Sequence, residues 1–386
     1  MIKSILVILG GLVIGLGIGY FFFFLRNTDS ITKPLVPFLE NTFSKKQIIG
    51  FLPYWLLSKG RDDYSPYINT LTYFGLTVDI DGKILTHTNQ QESEPGWYAL
   101  ESGKADVLLQ KARENKQTLS LLVFAGNEAS ISALMEDPIP HAQNLVADIT
   151  PLMKRYNFTD LNLDIESVKS ASDEARIHFT QFVKEVKKGM DKNKLETLTI
   201  DITSDSLVKK RLINLPEIAD FIDIVVIMAY DYHYSGSLVT GPVAPLFGAG
   251  TESEYDTQAA VQTAVQYIPA KKIVLGIPNY GYEWETLRDT QRAATIPSSG
   301  LTASTQRIEN LKKTCASCSA RIDETAKESS LSYKDTTGSF HQLFYPDASS
   351  TTAKIDFARN EKLGGIAVWA LGYEDTTILN PLSEYK

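Results

Sequence analysis

The chain has 386 residues, 43% of them hydrophobic, and a formal net charge of −8 at pH 7. That length holds one large α/β barrel or two ordinary domains, and the apolar share is enough for a sizeable core. The acidic balance excludes the basic surface that a nucleic-acid binder needs, so no nucleic-acid partner is expected; a neutral or cationic substrate fits.

Ile5 to Leu25 are 21 consecutive uncharged, mostly apolar positions, enough at ~1.5 Å per residue to cross a hydrocarbon layer of ~30 Å. The run ends in Tyr20-Phe21-Phe22-Phe23-Phe24-Leu25-Arg26 with no small-x-small cleavage site. Residues 1–26 are therefore expected to be an uncleaved membrane anchor rather than a removed signal peptide. Lys3 on one side nearly balances Arg26 and Lys33 on the other, so charge does not orient the anchor. Gly11, Gly15 and Gly19 recur at a spacing that lets two helices approach. Glycine is common in membrane helices in any case, and a plain anchor is preferred over dimerisation.

Residues 27–47, with Pro34 and Pro37 and no clear period, read as a linker. From Ile48 onward, short β-rich runs alternate with amphipathic helices. The strands are expected over Ile48–Tyr54, Thr70–Thr77, Thr118–Phe124, Asp160–Asp164, Thr197–Thr203, Ile222–Ala229, Lys272–Pro278 and Gly364–Ala370. Between them, Leu145, Val146, Ile149, Leu152, Met153 and Tyr156 fall on one side of a helix; further helices are expected near Lys104–Asn115, Asp173–Met190, Tyr255–Tyr267 and Ala353–Lys362. Eight strands alternating with helices over 48–386 predict a (β/α)8 TIM barrel. A doubly wound sheet is the runner-up, but no Gly-rich phosphate loop follows the first strand. Residues 285–350 break the alternation. They are expected to form a small α+β insertion between the seventh and eighth barrel strands, with a helix over Thr305–Lys313 and a hairpin of Ser330–Lys334 with Ser339–Tyr345.

The fourth strand carries the most information. In Phe158-Thr159-Asp160-Leu161-Asn162-Leu163-Asp164-Ile165-Glu166 the alternation places Asn162, Asp164 and Glu166 on one face and Leu161, Leu163 and Ile165 on the other. Burying an unpaired carboxylate costs several kcal/mol, so such a row is either a paired network, a polar surface or the lining of a working cavity.

The same segment resembles the Asp-Gly-x-Asp-x-Asp-x-Glu strand of family 18 glycoside hydrolases, the chitinase-like enzymes. Asp164 and Glu166 match its closing pair; Thr159 and Asp160 stand where the family has Asp-Gly, and Asn162 where it has Asp. The branch acting on bacterial spore peptidoglycan resembles this chain in carrying that Asn. Met228-Ala229-Tyr230-Asp231 is similar to the family's Met-x-Tyr-Asp, and Gly276-Ile277-Pro278-Asn279-Tyr280-Gly281 to its Gly-Ile-Pro-x-Tyr-Gly. Trp369 matches the aromatic floor beneath the sugar. Val123-Phe124-Ala125-Gly126-Asn127 departs from a Ser-x-Gly-Gly turn, and Tyr282 stands where many chitinases carry Arg. These departures weaken chitin specificity more than hydrolysis, and Asn162, the Gly276–Tyr282 run and Trp369-Ala370-Leu371-Gly372-Tyr373-Glu374-Asp375 resemble the spore-wall branch, which favours peptidoglycan over chitin as the polysaccharide partner.

The resemblance implies substrate-assisted retaining hydrolysis of β-linked N-acetylglucosamine, with the acetamido oxygen as nucleophile and no cofactor or metal. Glu166 would be acid then base, Asp164 would steer the acetamido group, and Tyr230 would hold its oxygen. Asn162 would orient Asp164 by a hydrogen bond, leaving Asp164 with no second carboxylate beneath it. Asp231, Trp369, Tyr280, Met228 and Trp55 complete the expected sugar contacts. Barrel enzymes place such residues at the C-terminal strand ends. A catalytically silent glycan binder or cell-surface scaffold is the rival reading, against which the retained Asp164 and Glu166 argue. That function places the catalytic part outside the cytoplasm. Cys315 and Cys318 either close a local disulfide there or stand as two thiols. His87, His141, His178, His233 and His341 lack metal-ligand spacing and receive no role.

Overall fold

The computed structural model describes residues 46–386 except Glu252, Ala316 and Thr376. The expected anchor, its Gly11/Gly15/Gly19 face and the linker before Lys46 lie outside the described residues. Among those described, no helix is long and apolar enough to cross a membrane.

Eight parallel strands close into a barrel. In chain order they are β1 (Gln47–Pro53), β2 (Thr70–Thr77), β3 (Thr118–Ala125), β4 (Asp160–Ile165), β5 (Thr197–Thr203), β6 (Ile224–Met228), β7 (Ile273–Pro278) and, after an interruption, β13 (Gly365–Trp369). β13 pairs with both β1 and β7 and so closes the ring. All eight expected strands are present, β2 and β5 with the expected ends and the others shifted by no more than two residues.

The helices form where the sequence supplies both a face and a stop. Pro138–Tyr156 starts with Pro at its first turn, where the missing N–H costs nothing. It buries Ala142, Leu145, Val146, Ile149, Leu152, Met153 and Tyr156, and ends at Asn157 in the left-handed region, φ 57°. Asp173–Asn193 is capped by Ser172, whose hydroxyl accepts from Ala175 N at 3.1 Å, with Asp173 and Glu174 favourably placed in its first turn. These helices approach closely at Gly189, where a Cβ would stand 2.9 Å from both Val146 methyls.

The insertion starts earlier than expected. A five-stranded antiparallel sheet, ordered β10-β11-β12-β8-β9, is built from β8 (Tyr280–Thr286), β9 (Leu301–Ser304), β10 (Ser319–Asp323), β11 (Glu328–Lys334) and β12 (Phe340–Tyr345). Only Asn279 separates β7 from β8, so Tyr280, Tyr282 and Trp284 belong to the inserted sheet rather than to the rim of β7. The expected helix and hairpin are both present, the helix as Thr305–Thr314. Cys315 and Cys318 form a disulfide just after that helix. The insertion is tied to the barrel by Glu328, fully buried on β11, whose carboxylate accepts from Ala244 N at 3.1 Å. It lies 3.8 Å from the ammonium of Lys354, on the helix Ala348–Asn360.

The barrel interior is unusually polar beneath β4. Asp160, standing where the family that the strand resembles has glycine, accepts from the hydroxyls of Ser120 on β3 and Thr199 on β5, the latter at 2.8 Å. Burial pushes its carboxyl up to about 7. A carboxyl raised on folding binds its proton more tightly in the native state, so its contribution to stability falls as pH rises from the ordinary 3.8 to about 7. Asp160→Asn is therefore expected to melt a few degrees above wild type at pH 8, with the gap closing toward pH 4. Thermal melts across that range check this, and a pH-independent difference would remove the buried acid as its cause.

Candidate active site

At the C-terminal end of the barrel lies a cleft of about 870 Å³. Its position follows from strand polarity: side chains toward the carboxyl ends of β1 to β6 and β13 converge there. One wall is aromatic. Trp55, 44% exposed, stands 5.4 Å from Phe74 and 6.3 Å from Trp369, ring centre to ring centre. Phe74 and Trp369 are 5.0 Å apart in an edge-on contact. Such apolar faces suit the C–H face of a sugar ring.

The opposite side is acidic. Asp164, inward-facing on β4, is 3% exposed, and its Oδ1 is buried without a hydrogen-bond partner. Glu166 sits one residue past the strand, its backbone held by an N–H donated to Ala125 O at 2.8 Å. Both line the cleft. On the other face of β4, Leu161, Leu163 and Ile165 enter the apolar core against the outer helices, so the alternation has the expected sense.

Two expectations fail. Asn162 does not orient Asp164; its Nδ2 donates to Asp201 Oδ1 at 3.0 Å, and it lies beneath the cleft rather than in its wall. Nor is Asp164 without a carboxylate neighbour, because Asp201 on β5 supplies one. The sequence signal was available in Thr199-Ile200-Asp201-Ile202-Thr203, whose alternation repeats that of β4 in the adjacent strand.

The electrostatics follow from this crowding. Burial, then the negative charges of Glu166 and Asp201, raise the Asp164 carboxyl well above its ordinary range. Burial, then Asp231, raise Glu166. Asp201 is raised by burial, with Asn162's hydrogen bond opposing it. The site thus retains protons that solvent-exposed carboxyls would release.

Tyr230 follows β6 and lines the cleft; its ring lies over β7, where Gly276 leaves room, a Cβ there falling 3.2 Å from the tyrosine Cε1. Met228 ends β6 and also faces the cleft. Asp231 adopts the left-handed conformation, φ 59°, which Asp tolerates better than most residues. That turn aims its carboxylate at two hydroxyls from β8, Tyr280 at 2.5 Å and Tyr282 at 3.1 Å. Tyr280 is therefore not a cleft residue as expected. It is 3% exposed and spends its hydroxyl holding Asp231. Tyr282 shares the task. Phe51, Tyr54, Phe124, Tyr232 and Asp205 also line the cleft and were not among the expected sugar contacts. Among the described residues, no group of three or more His, Cys, Asp or Glu side chains is placed to hold a metal ion.

Comparison with known proteins supports the same picture. The chain is 25% identical over 317 residues to the putative sporulation-specific glycosylase YdhD of Bacillus subtilis, covering 80% of this chain and 67% of that one. To the cortical fragment-lytic enzyme of the same organism it is 26% identical over 239 residues, 60% of this chain and 50% of the other. The chain thus spans about half to two thirds of these relatives. The spore cortex-lytic enzyme SleL of Bacillus cereus superposes with a TM-score of 0.69 at 19% identity, over 89% of this chain and 75% of that one. The group IV chitinase of Ostrinia furnacalis, in complex with allosamidin, gives 0.75 at 19% identity, over 88% and 97%. At such identities the structures share the fold. The model of the glycosyl hydrolases family 18 matches residues 47–374, which is most of the chain and contains every residue of the cleft, and the chain belongs to that family.

Proposed function

We propose that this chain is a retaining glycosidase that cleaves β-linked N-acetylglucosamine polymers, peptidoglycan in preference to chitin. The observation that carries it is the unpartnered, nearly inaccessible Asp164 carboxylate beside Glu166, facing an aromatic-walled cleft. An uncompensated buried acid is costly unless the site uses it. The relatives named as acting on spore cortex lend weight to peptidoglycan.

Glu166, whose protonated form burial favours, gives its proton to the leaving glycosidic oxygen. The substrate's acetamido oxygen closes on the anomeric carbon, Asp164 accepts from the acetamido N–H and faces the positive ring that forms, and Tyr230 steadies the acetamido oxygen. Glu166, now a carboxylate, takes a proton from the water that opens that ring. Trp369 and Trp55 offer stacking surface, and Asp231 a hydrogen-bond acceptor fixed by two tyrosines. Asn162 acts one step removed, by holding Asp201. Residues 1–26 would anchor the enzyme and 27–47 tether it, with 48–386 outside the cytoplasm. The Cys315–Cys318 disulfide fits an oxidising compartment.

Incubating the full-length protein with purified peptidoglycan and with chitin oligomers, then weighing the products by mass spectrometry, tests the reading. Retention on the polymer without released sugars would replace it with glycan binding. Glu166→Gln should lower kcat by ~10²–10⁴-fold while KM changes little, since the amide keeps shape and loses the acid proton. Wild-type turnover in the purified variant would reject the assignment.

Asp201→Asn removes a negative charge that raises Asp164, so the pH profile of kcat/KM should move to lower pH. Adding Asn162→Asp to that variant returns a carboxylate to the strand beneath Asp164 and should move the profile back. Superimposable profiles for all three proteins would make position 201 electrically remote.

A further inference from the structure

Six carboxyl side chains line the cleft: Glu94, Asp164, Glu166, Asp201, Asp205 and Asp231. Among the described residues that line it there is no Lys, Arg or His. Only Asp205 has a cation close behind it, Arg211 at 2.7 Å. Glu94 caps a helix through Trp97 N, and Asp231 is held by tyrosine hydroxyls, neither of which supplies a full positive charge. Asp164, 3% exposed, lines this space, and its buried Oδ1 has no hydrogen-bond partner among the described residues. The upward shifts of Asp164, Glu166, Asp201 and Asp231 report one shared cause, a dry site in which negative charge is disfavoured.

An anionic group on the substrate entering that space meets the same field as the protein's own carboxylates, and no side chain there can pair with it. A neutral or cationic group meets no such barrier. Building on the glycosidase reading above, we propose that the cleft selects by the charge of the sugars it holds: it accepts N-acetylglucosamine polymers whose groups inside the cleft are neutral or cationic and rejects those that place a free carboxylate there. On peptidoglycan, a muramic acid whose lactyl carboxyl is tied in an amide passes, and one with that carboxyl free is excluded. The neutral substrate and the developing positive ring are favoured by one and the same arrangement.

Glycol chitin and carboxymethyl chitin make a matched pair, since their hydroxyethyl and carboxymethyl substituents differ little in size and by one charge per group. With the full-length protein at pH 7, kcat/KM for glycol chitin should exceed that for carboxymethyl chitin by about tenfold or more at low salt. The ratio should shrink as ionic strength rises, because part of the repulsion is screened. Val168→Lys, which puts a cation on an exposed residue of the cleft wall, should lower the ratio further. Equal rates, or a ratio indifferent to salt and to Val168→Lys, would overturn the proposal. If neither polymer is cut, the hydrolytic reading falls, and the charge question is then decided by binding. Tryptophan fluorescence titrations of Glu166→Gln, reporting through Trp55 and Trp369, should show the same preference, and equal affinities would sink it.

Discussion

A buried carboxylate needs a cation, a set of hydrogen-bond donors or a proton, and the cost of lacking all three sets the terms for this barrel. Asp160 takes the second and third options, with two hydroxyls and a raised carboxyl. Asp201 is given a single amide donor by Asn162. Asp231 takes two tyrosine hydroxyls. Asp164 is left with no donor, and only a raised carboxyl. Of these four carboxyls, the one without a donor is the one on β4 that lines the cleft beside Glu166.

The inserted sheet contributes to that order without touching the cleft through Tyr280. Because β8 begins one residue after β7, the two tyrosines that face Asp231 come from the insertion's first strand. Glu328 fixes the segment after β6 from the other side through Ala244 N. The turn carrying Tyr230 and Asp231 therefore sits between barrel and insertion, and its left-handed aspartate is kept in place by both.

Much of this was legible in the chain. Short β-rich runs alternating with amphipathic helical runs were enough to place all eight barrel strands, since each signal is local and repeated. The Asp164 and Glu166 row was readable because polar residues alternate with Leu and Ile on a strand that should be apolar on both faces. Asp201 obeyed the same rule, but Thr199 and Thr203 beside it also suit a solvent-facing strand, so the row did not stand out. What Asn162 and Tyr280 hold could not be read at all. Their partners lie 39 and 49 residues away, on neighbouring elements whose register depends on closure of the whole ring.

The Glu328–Lys354 pair also bears on how such a protein can be rearranged. Accessory modules are often regarded as detachable, grafted onto a scaffold that would persist without them. Here a lysine ammonium on a barrel-flanking helix is 1% exposed, and the carboxylate facing it belongs to the inserted sheet. Excising that sheet would strand a charge in the interior, and a helix redesigned around a neutral side chain would have to come with the deletion. Barrel and insertion are thus committed to each other, and a descendant that shed one would carry the trace of it at position 354.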